Sequence, residues 1–403
     1  MSLPKTVGTK KRTEAFAEVF APGVADHPSP ALAISSFTGS AAAFAAAVLA
    51  QRGKTPLVLA VTPGLPEADA LADDLRVIED EAAIRVLEFP PPLEDDSSAA
   101  AARLKTSAAL GAYGIRPYPL VIVACVRALE TGVARGADVA RATVELAIGE
   151  APAFSELQEK LRAAGYARVP EVSGVGEFAV RGGVLDAWSP DAERPVRAEY
   201  FGDELESLRA FDAAVQTSVK KLERASFQPV EIASGGRSEK LFALLPAGAT
   251  ALFLDHDAYD AAALSGGRED LRRVYAGDPA PAGVPTADFV SSPLPGLSEV
   301  AAEAARNPEV LDAARARLQK HLAAARRRGE LVVEDDELSG GFEVPGLVVA
   351  AKSDRVLGAR RRAFSARAKA GAGERLSTAM DVEPGELVVH VDHGVGRFLG
   401  STE

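Results

Sequence analysis

Gly39 and Ser40 sit where phosphate chemistry could begin. The apolar stretch ALAI (31–34) runs through SSFTG into AAAFAAAVLAQRG, giving the strand, glycine turn and alanine-rich helix of a phosphate loop. A working loop, G-x-x-x-x-G-K-[ST], cradles phosphates with backbone N–H groups. Its lysine reaches the β/γ-phosphates and its hydroxyl holds Mg²⁺. Here Gly39 is followed by Ser40, Ala41, Ala42 and Ala43. Ala42 stands where a lysine would project, so neither cation partner is supplied. The loop reads as degenerate and non-functional.

Other chemical candidates fail on context. Gly53, Lys54 and Thr55 spell GKT, but they precede a strand and lack the upstream glycine. GVGEFA (174–179) fits a dinucleotide fingerprint in letters only, because it opens a strand rather than a helix. His390 and His393 in HVDH have no third ligand, and Asp255, His256 and Asp257 have no activated nucleophile beside them. No catalytic residue, metal or cofactor is expected.

A different kind of site lies along RPVRAEYF (194–201). Strand alternation puts Arg197, Glu199 and Phe201 on one face and Ala198 and Tyr200 on the other. Arginine and aromatic residues dominate interface hot spots, so this face is a candidate protein-binding surface. A solvated face with one aromatic covering the sheet edge would give the same pattern.

The positioning elements follow from periodicity. From 31 to 150, apolar strands (31–36, 56–62, 84–89, 119–125) alternate with helices (41–52, 66–77, 99–112), which predicts an α/β domain with a parallel sheet. From 151 to 232 a helix leads into short alternating strands with turn signals, an α+β texture. The α/β texture resumes over 233–292 with ATALFLDH, so the β-rich module is read as an insertion. Residues 1–30 are read as an N-terminal helix and tail. Residues 293–382 are read as a helical region with a reduced third domain and a basic linker, and 383–403 as two strands opening a further domain.

Composition limits the function classes. The 403 residues are 47% hydrophobic and 25% charged, and the longest apolar run, Ala41–Ala50, is about half a membrane span. With no apolar segment behind the basic N-terminal residues, a cytoplasmic chain is expected. A single cysteine, Cys125, excludes an internal disulfide. The net charge of −12 argues against a surface devoted to nucleic acid, although Arg360, Arg361 and Arg362 with Arg367 and Lys369 form a local basic cluster.

GEFAVRGGVLDAWSP (176–190) and RPVRAEYFGDELESLRAFD (194–212) together resemble the UvrB-homology module of the bacterial transcription-repair coupling factors (Mfd). PGELVVHVDHGVGRFLG (384–400) resembles the first strands of that family's RNA-polymerase-interacting, CarD-like domain, and GFEVPGLVVAAKSDRVLGARRR (341–362) the segment before it. The resemblance implies a RecA/helicase-like α/β domain whose phosphate loop is degenerate, with an inserted α+β UvrB-homology domain. It implies an N-terminal fragment that recruits UvrA in transcription-coupled nucleotide excision repair and has no ATPase of its own. It assigns UvrA contact to Arg181, Arg197, Glu199, Phe201 and Asp203. RNA polymerase and DNA would be partners of the full-length protein, which in this family is an ATP-dependent DNA translocase. The family's usual third small α/β domain reads as reduced or absent, and the translocase motifs lie beyond Glu403. The alternatives are a nucleotide-binding, helicase-like domain and a UvrB-like DNA repair subunit.

Overall fold

The computed structural model describes residues 11–92, 97–230, 238–295, 307–355, 387–390 and 394–397. The chain divides into two units, Met1–Ser365 and Ala366–Glu403. In the first, α1 (Arg12–Phe20) runs into a π-helical turn and then β1 (Ala31–Ile34), α2 (Ala41–Arg52), β2 (Leu57–Thr62), α3 (Leu65–Ala82), β3 (Arg85–Phe89), α4 (Ser97–Tyr113), β4 (Leu120–Cys125) and α5 (Val126–Leu129). Strands β2 and β4 are buried from end to end. Their unbroken apolar runs suit a parallel sheet covered on both faces. Alanine makes α2 a strong helix former, and its small side chains let the helix sit almost wholly inside the core.

The chain leaves this sheet through β5 (Val133–Ala134), α6 (Gly136–Ala142) and β6 (Val144–Ala147). The inserted module follows: α7 (Phe154–Ala163), β7 (Ala167–Arg168), β8 (Glu177–Arg181), β9 (Val184–Ala187), β10 (Val196–Phe201), β11 (Glu204–Asp212), β12 (Thr217–Leu222) and β13 (Arg224–Phe227). Strand β13 pairs with β6, which ties β6 to the module. The return runs through β14 (Ser238–Glu239), paired with β5, then α8 (Leu241–Leu244), β15 (Thr250–Leu254), α9 (Ala261–Ser265) and β16 (Arg272–Ala276). The parallel sheet closes in the order β1-β16-β15-β2-β4-β3, so the module is inserted between two halves of one α/β sheet.

Both sheet edges are blocked. On β3, Glu79 Oε1 accepts from the Val86 amide at 3.0 Å and Thr106 Oγ1 donates to the Glu88 carbonyl at 3.0 Å. On β1, the Ala33 amide donates to the Pro285 carbonyl and the Ala287 amide to the Ala33 carbonyl, both at 2.8 Å. These contacts use up groups that would otherwise template pairing with another strand.

Past residue 307, α10 (Pro308–Arg327) is followed by β17 (Leu331–Asp335), β18 (Phe342–Val344), β19 (Leu347–Ala351) and α11 (Lys352–Arg355). Within 293–382, read from the sequence as a helical region with a reduced third domain and a basic linker, the described residues hold the long helix α10 and also strands: GELVV and GLVVAA belong to a three-stranded sheet ordered β17-β19-β18. One face of that sheet places Val348 and Ala350 against Leu318 and Leu322 of α10. The other sends Phe342 into the main core, 5.3 Å from the Phe44 ring centroid and 5.9 Å from that of Phe16. The basic cluster at 360–369 lies outside the described residues. In the second unit, β20 (Leu387–His390) and β21 (Gly394–Arg397) form an antiparallel pair. His393 lies outside the described residues.

Candidate partner-binding face and closed phosphate loop

The module's six strands are ordered β12-β11-β10-β9-β8-β7. Leu157 and Leu161 of α7 cover one face, meeting Phe178, Leu185, Ala198 and Leu208 in a separate core. The opposite face carries the charged residues. Antiparallel register sets Asp186, Arg197, Arg209 and Lys221 directly opposite one another across β9 to β12, and Arg181, Val184, Glu199 and Ser207 in the neighbouring row. Paired residues share a face, so Arg197 and Glu199, which alternation grouped with Phe201, lie on this side, together with Arg181, which the resemblance added.

Arg197 is more deeply placed than alternation alone implies. Its guanidinium donates two hydrogen bonds to Asp186, Nε to Oδ1 at 2.7 Å and Nη2 to Oδ2 at 2.8 Å, and a third to Gln216 Oε1 at 3.2 Å. It also lies 4.7 Å over the centroid of buried Phe211. The Asp186 hydrogen bonds hold the guanidinium above its ordinary pKa, against the desolvation that opposes them. Asp186 itself is 4% exposed, so this is a two-pronged, largely buried ion pair.

The other candidates differ in freedom. Arg181 Nη2 donates to Glu171 Oε2 at 2.9 Å and to the Pro170 carbonyl at 3.2 Å, and its side chain remains half exposed. Glu199 accepts from Ser207 Oγ at 2.5 Å and pairs with Arg209 Nη2 at 3.3 Å. Phe201 is 77% exposed where β10 enters the two-residue turn Gly202–Asp203. Gly202 has φ +63°, the left-handed geometry that the first position of a type II′ hairpin requires. Asp203 turns away, its Oδ1 accepting from the Phe154 amide at 3.3 Å at the start of α7. Asp186 and Arg209 were missed in the sequence. The strict alternation in VLDA beside VRAEYF is the signal that would have found Asp186.

The degenerate loop is closed by the chain itself. Gly39 adopts φ +55°, and a Cβ there would lie 2.4 Å from the Gly341 carbonyl oxygen and 2.7 Å from that of Gly340. The Ser40 amide and Oγ both donate to the Gly340 carbonyl, at 3.0 and 2.9 Å. Thr38 bonds Ser291 through its amide at 2.9 Å and its hydroxyl at 3.0 Å. Asp74 holds the same turn, accepting from the Ser339 amide at 2.6 Å and the Ser339 hydroxyl at 2.7 Å. Burial pushes the Asp74 carboxyl up to about 6, while the Ser339 and Ser40 hydrogen bonds pull the other way. Ser40, directly after Gly39, meets the inserted turn; Ala42 and Ala43 lie within the first turn of α2. Elsewhere, His256 Nε2 is 3.2 Å from the Gly277 carbonyl. Among the described residues, no group of three or more His, Cys, Asp or Glu could hold a metal ion, and no helix is long and apolar enough to cross a membrane.

The profile of the UvrB interaction domain matches residues 144–232, the module from β6 through β13. A transcription-repair-coupling factor of Myxococcus xanthus is 36% identical over 170 residues, 40% of this chain and 14% of that protein. Its namesake in Escherichia coli (strain K12) is 27% identical over 197 residues, 49% of this chain and 17% of that protein. The UvrABC system protein B of Thermotoga neapolitana is 33% identical over 92 residues, 23% of this chain and 14% of that protein. The chain thus matches under a fifth of the length of these relatives. Residues 144–232 are a UvrB interaction domain, carried by a chain homologous to transcription-repair-coupling factors.

Proposed function

We propose that this chain is an adaptor in transcription-coupled nucleotide excision repair that recruits UvrA through the outer face of β8 to β11. The observation that carries this reading is the half-exposed Arg181, Glu199 and Arg209 with the projecting Phe201, gathered on one face of the matched domain. Exposed arginine beside an exposed aromatic is the composition of an interface hot spot. RNA polymerase and DNA are partners of the longer protein, the polymerase through the domain that 383–403 opens. The chain works in the cytoplasm.

The α/β sheet acts as a scaffold with no ATPase of its own. Support comes from the Gly340 carbonyl, which takes up the Ser40 donors at the start of α2 where a bound phosphate would need them. The test is co-elution with purified UvrA. Arg181→Glu with Phe201→Ala should abolish the complex, and undiminished binding by that double variant would sink the site assignment. Millimolar ATP should neither bind nor be hydrolysed; measurable turnover would restore the nucleotide-binding reading.

A further inference from the structure

Arg197, Arg209 and Lys221 stand directly opposite one another on β10, β11 and β12. Cross-strand neighbours have Cβ atoms about 5 Å apart, and like charges in such positions repel. Only the first is neutralised within its own row, where Asp186 takes both prongs of Arg197. Arg209 has one partner from the next row, Glu199 at 3.3 Å, which is already engaged by Ser207. Lys221 is exposed on β12, the edge strand of the sheet, and Val219, at the irregularity that shifts the β11–β12 register, is 55% exposed.

We infer that Arg209 and Lys221 form the cationic contact that receives a carboxylate of the partner, while Arg197 is a positioning residue that does not touch it. This inference rests on the reading of the outer face as the UvrA-binding surface, and it moves the centre of the contact from β10 toward β12. The occupant is an acidic patch of that partner. Arg209, whose counter-charge Glu199 is already engaged by Ser207, and the adjacent exposed Lys221 are relieved by an incoming carboxylate, whereas the Arg197 charge is already matched by buried Asp186, which makes it the weaker attractor. Arg197 acts through Asp186 and Phe211, keeping β9, β10 and β11 in the geometry that presents Arg209.

Titrating the 403-residue chain with UvrA, by fluorescence anisotropy over a range of salt concentrations, tests this. Arg209→Glu with Lys221→Glu should weaken binding at least tenfold and flatten its salt dependence, with the urea midpoint of Trp188 fluorescence unchanged. Arg209→Lys should retain most of the binding. Arg197→Met should lower the urea midpoint and leave the salt dependence of the remaining binding as in the parent. If Arg209→Glu with Lys221→Glu binds like the parent while Arg181→Glu and Phe201→Ala weaken binding, the inference is overturned and the UvrA reading stands. If none of these variants changes binding, the reading of the face fails with it. A flattened salt dependence in Arg197→Met would make Arg197 a contact and overturn the positioning role.

Discussion

The carbonyl oxygen of Gly340 lies 3.0 Å from the Ser40 amide nitrogen and 2.9 Å from Ser40 Oγ, at the N-terminus of α2. A helix start offers free N–H groups and the positive end of its dipole, the features that bind phosphate. In this chain a peptide carbonyl 300 residues downstream in sequence takes that position. The alanine-rich helix therefore needs no ligand to complete it. A sheet built from residues 331–351 is anchored there instead.

Rebuilding the motif should not restore nucleotide binding. Ser40→Lys with Ala41→Ser, which writes the G-K-S order directly after Gly39, or Ala42→Lys, at the position where a lysine would project, would supply a missing cation partner, yet the Gly340–Gly341 backbone still fills the space above Gly39. The expected outcome is a destabilised chain without affinity for a fluorescent ATP analogue at millimolar concentration. Saturable binding that depends on Mg²⁺ would contradict the closure.

Gly39→Ala should loosen the same junction. The left-handed φ of +55° costs an alanine roughly 1–2 kcal/mol, and the new methyl would meet backbone oxygens that cannot rotate away. Limited proteolysis should cut between 336 and 341 faster in the variant, with the module's Trp188 fluorescence unaltered. Equal cleavage rates would show that the turn tolerates the shift.

Asp74 makes stability depend on pH. Its carboxyl, ordinarily near 3.8, is pushed up to about 6 by burial, so the folded chain binds the proton more tightly than the unfolded one. This contribution favours folding below the unfolded value and is lost as pH rises from about 4 through about 6. A shift of about two units corresponds to roughly 3 kcal/mol. Asp74→Asn, which keeps an acceptor for the Ser339 amide, should be more stable than the parent at pH 8 and close to it at pH 4. Urea unfolding at both values checks this, and an identical pH profile in the two proteins would remove Asp74 as the source.

Much of this fold was legible because its signals are local. ALAI, PLVLAVT and PLVIVAC are apolar runs of strand length separated by helical spacing, and the switch to period two after residue 151 marks the inserted module. Residues 331–351 were not legible in the same way. GELVV and GLVVAA are short and flanked by glycine, and their burial depends on Phe342 reaching Phe16 and Phe44, a contact across some 300 residues. The outer face was half legible. Alternation placed Arg197 and Glu199 correctly, but the depth of Arg197 depends on Asp186 in another strand and Phe211 in a third. No pattern within one strand encodes those partners.

The Arg197–Asp186 pair should behave as a single unit in a double-mutant cycle. Asp186 is 4% exposed and Arg197 covers it with two hydrogen bonds, so removing either partner leaves a buried polar group uncompensated. Breaking such a pair costs about 3–5 kcal/mol, whereas replacing both members with apolar residues is often close to neutral. Asp186→Leu and Arg197→Met should each destabilise the module by amounts in that range, and the double variant by less than either. The sole tryptophan, Trp188, follows β9 and donates from Nε1 to the Ala192 carbonyl, so its fluorescence during urea unfolding reports on this module. Additive losses in the double variant would mean that the two side chains contribute independently, and the ion pair would then not be what holds β9 to β10 on the outer face.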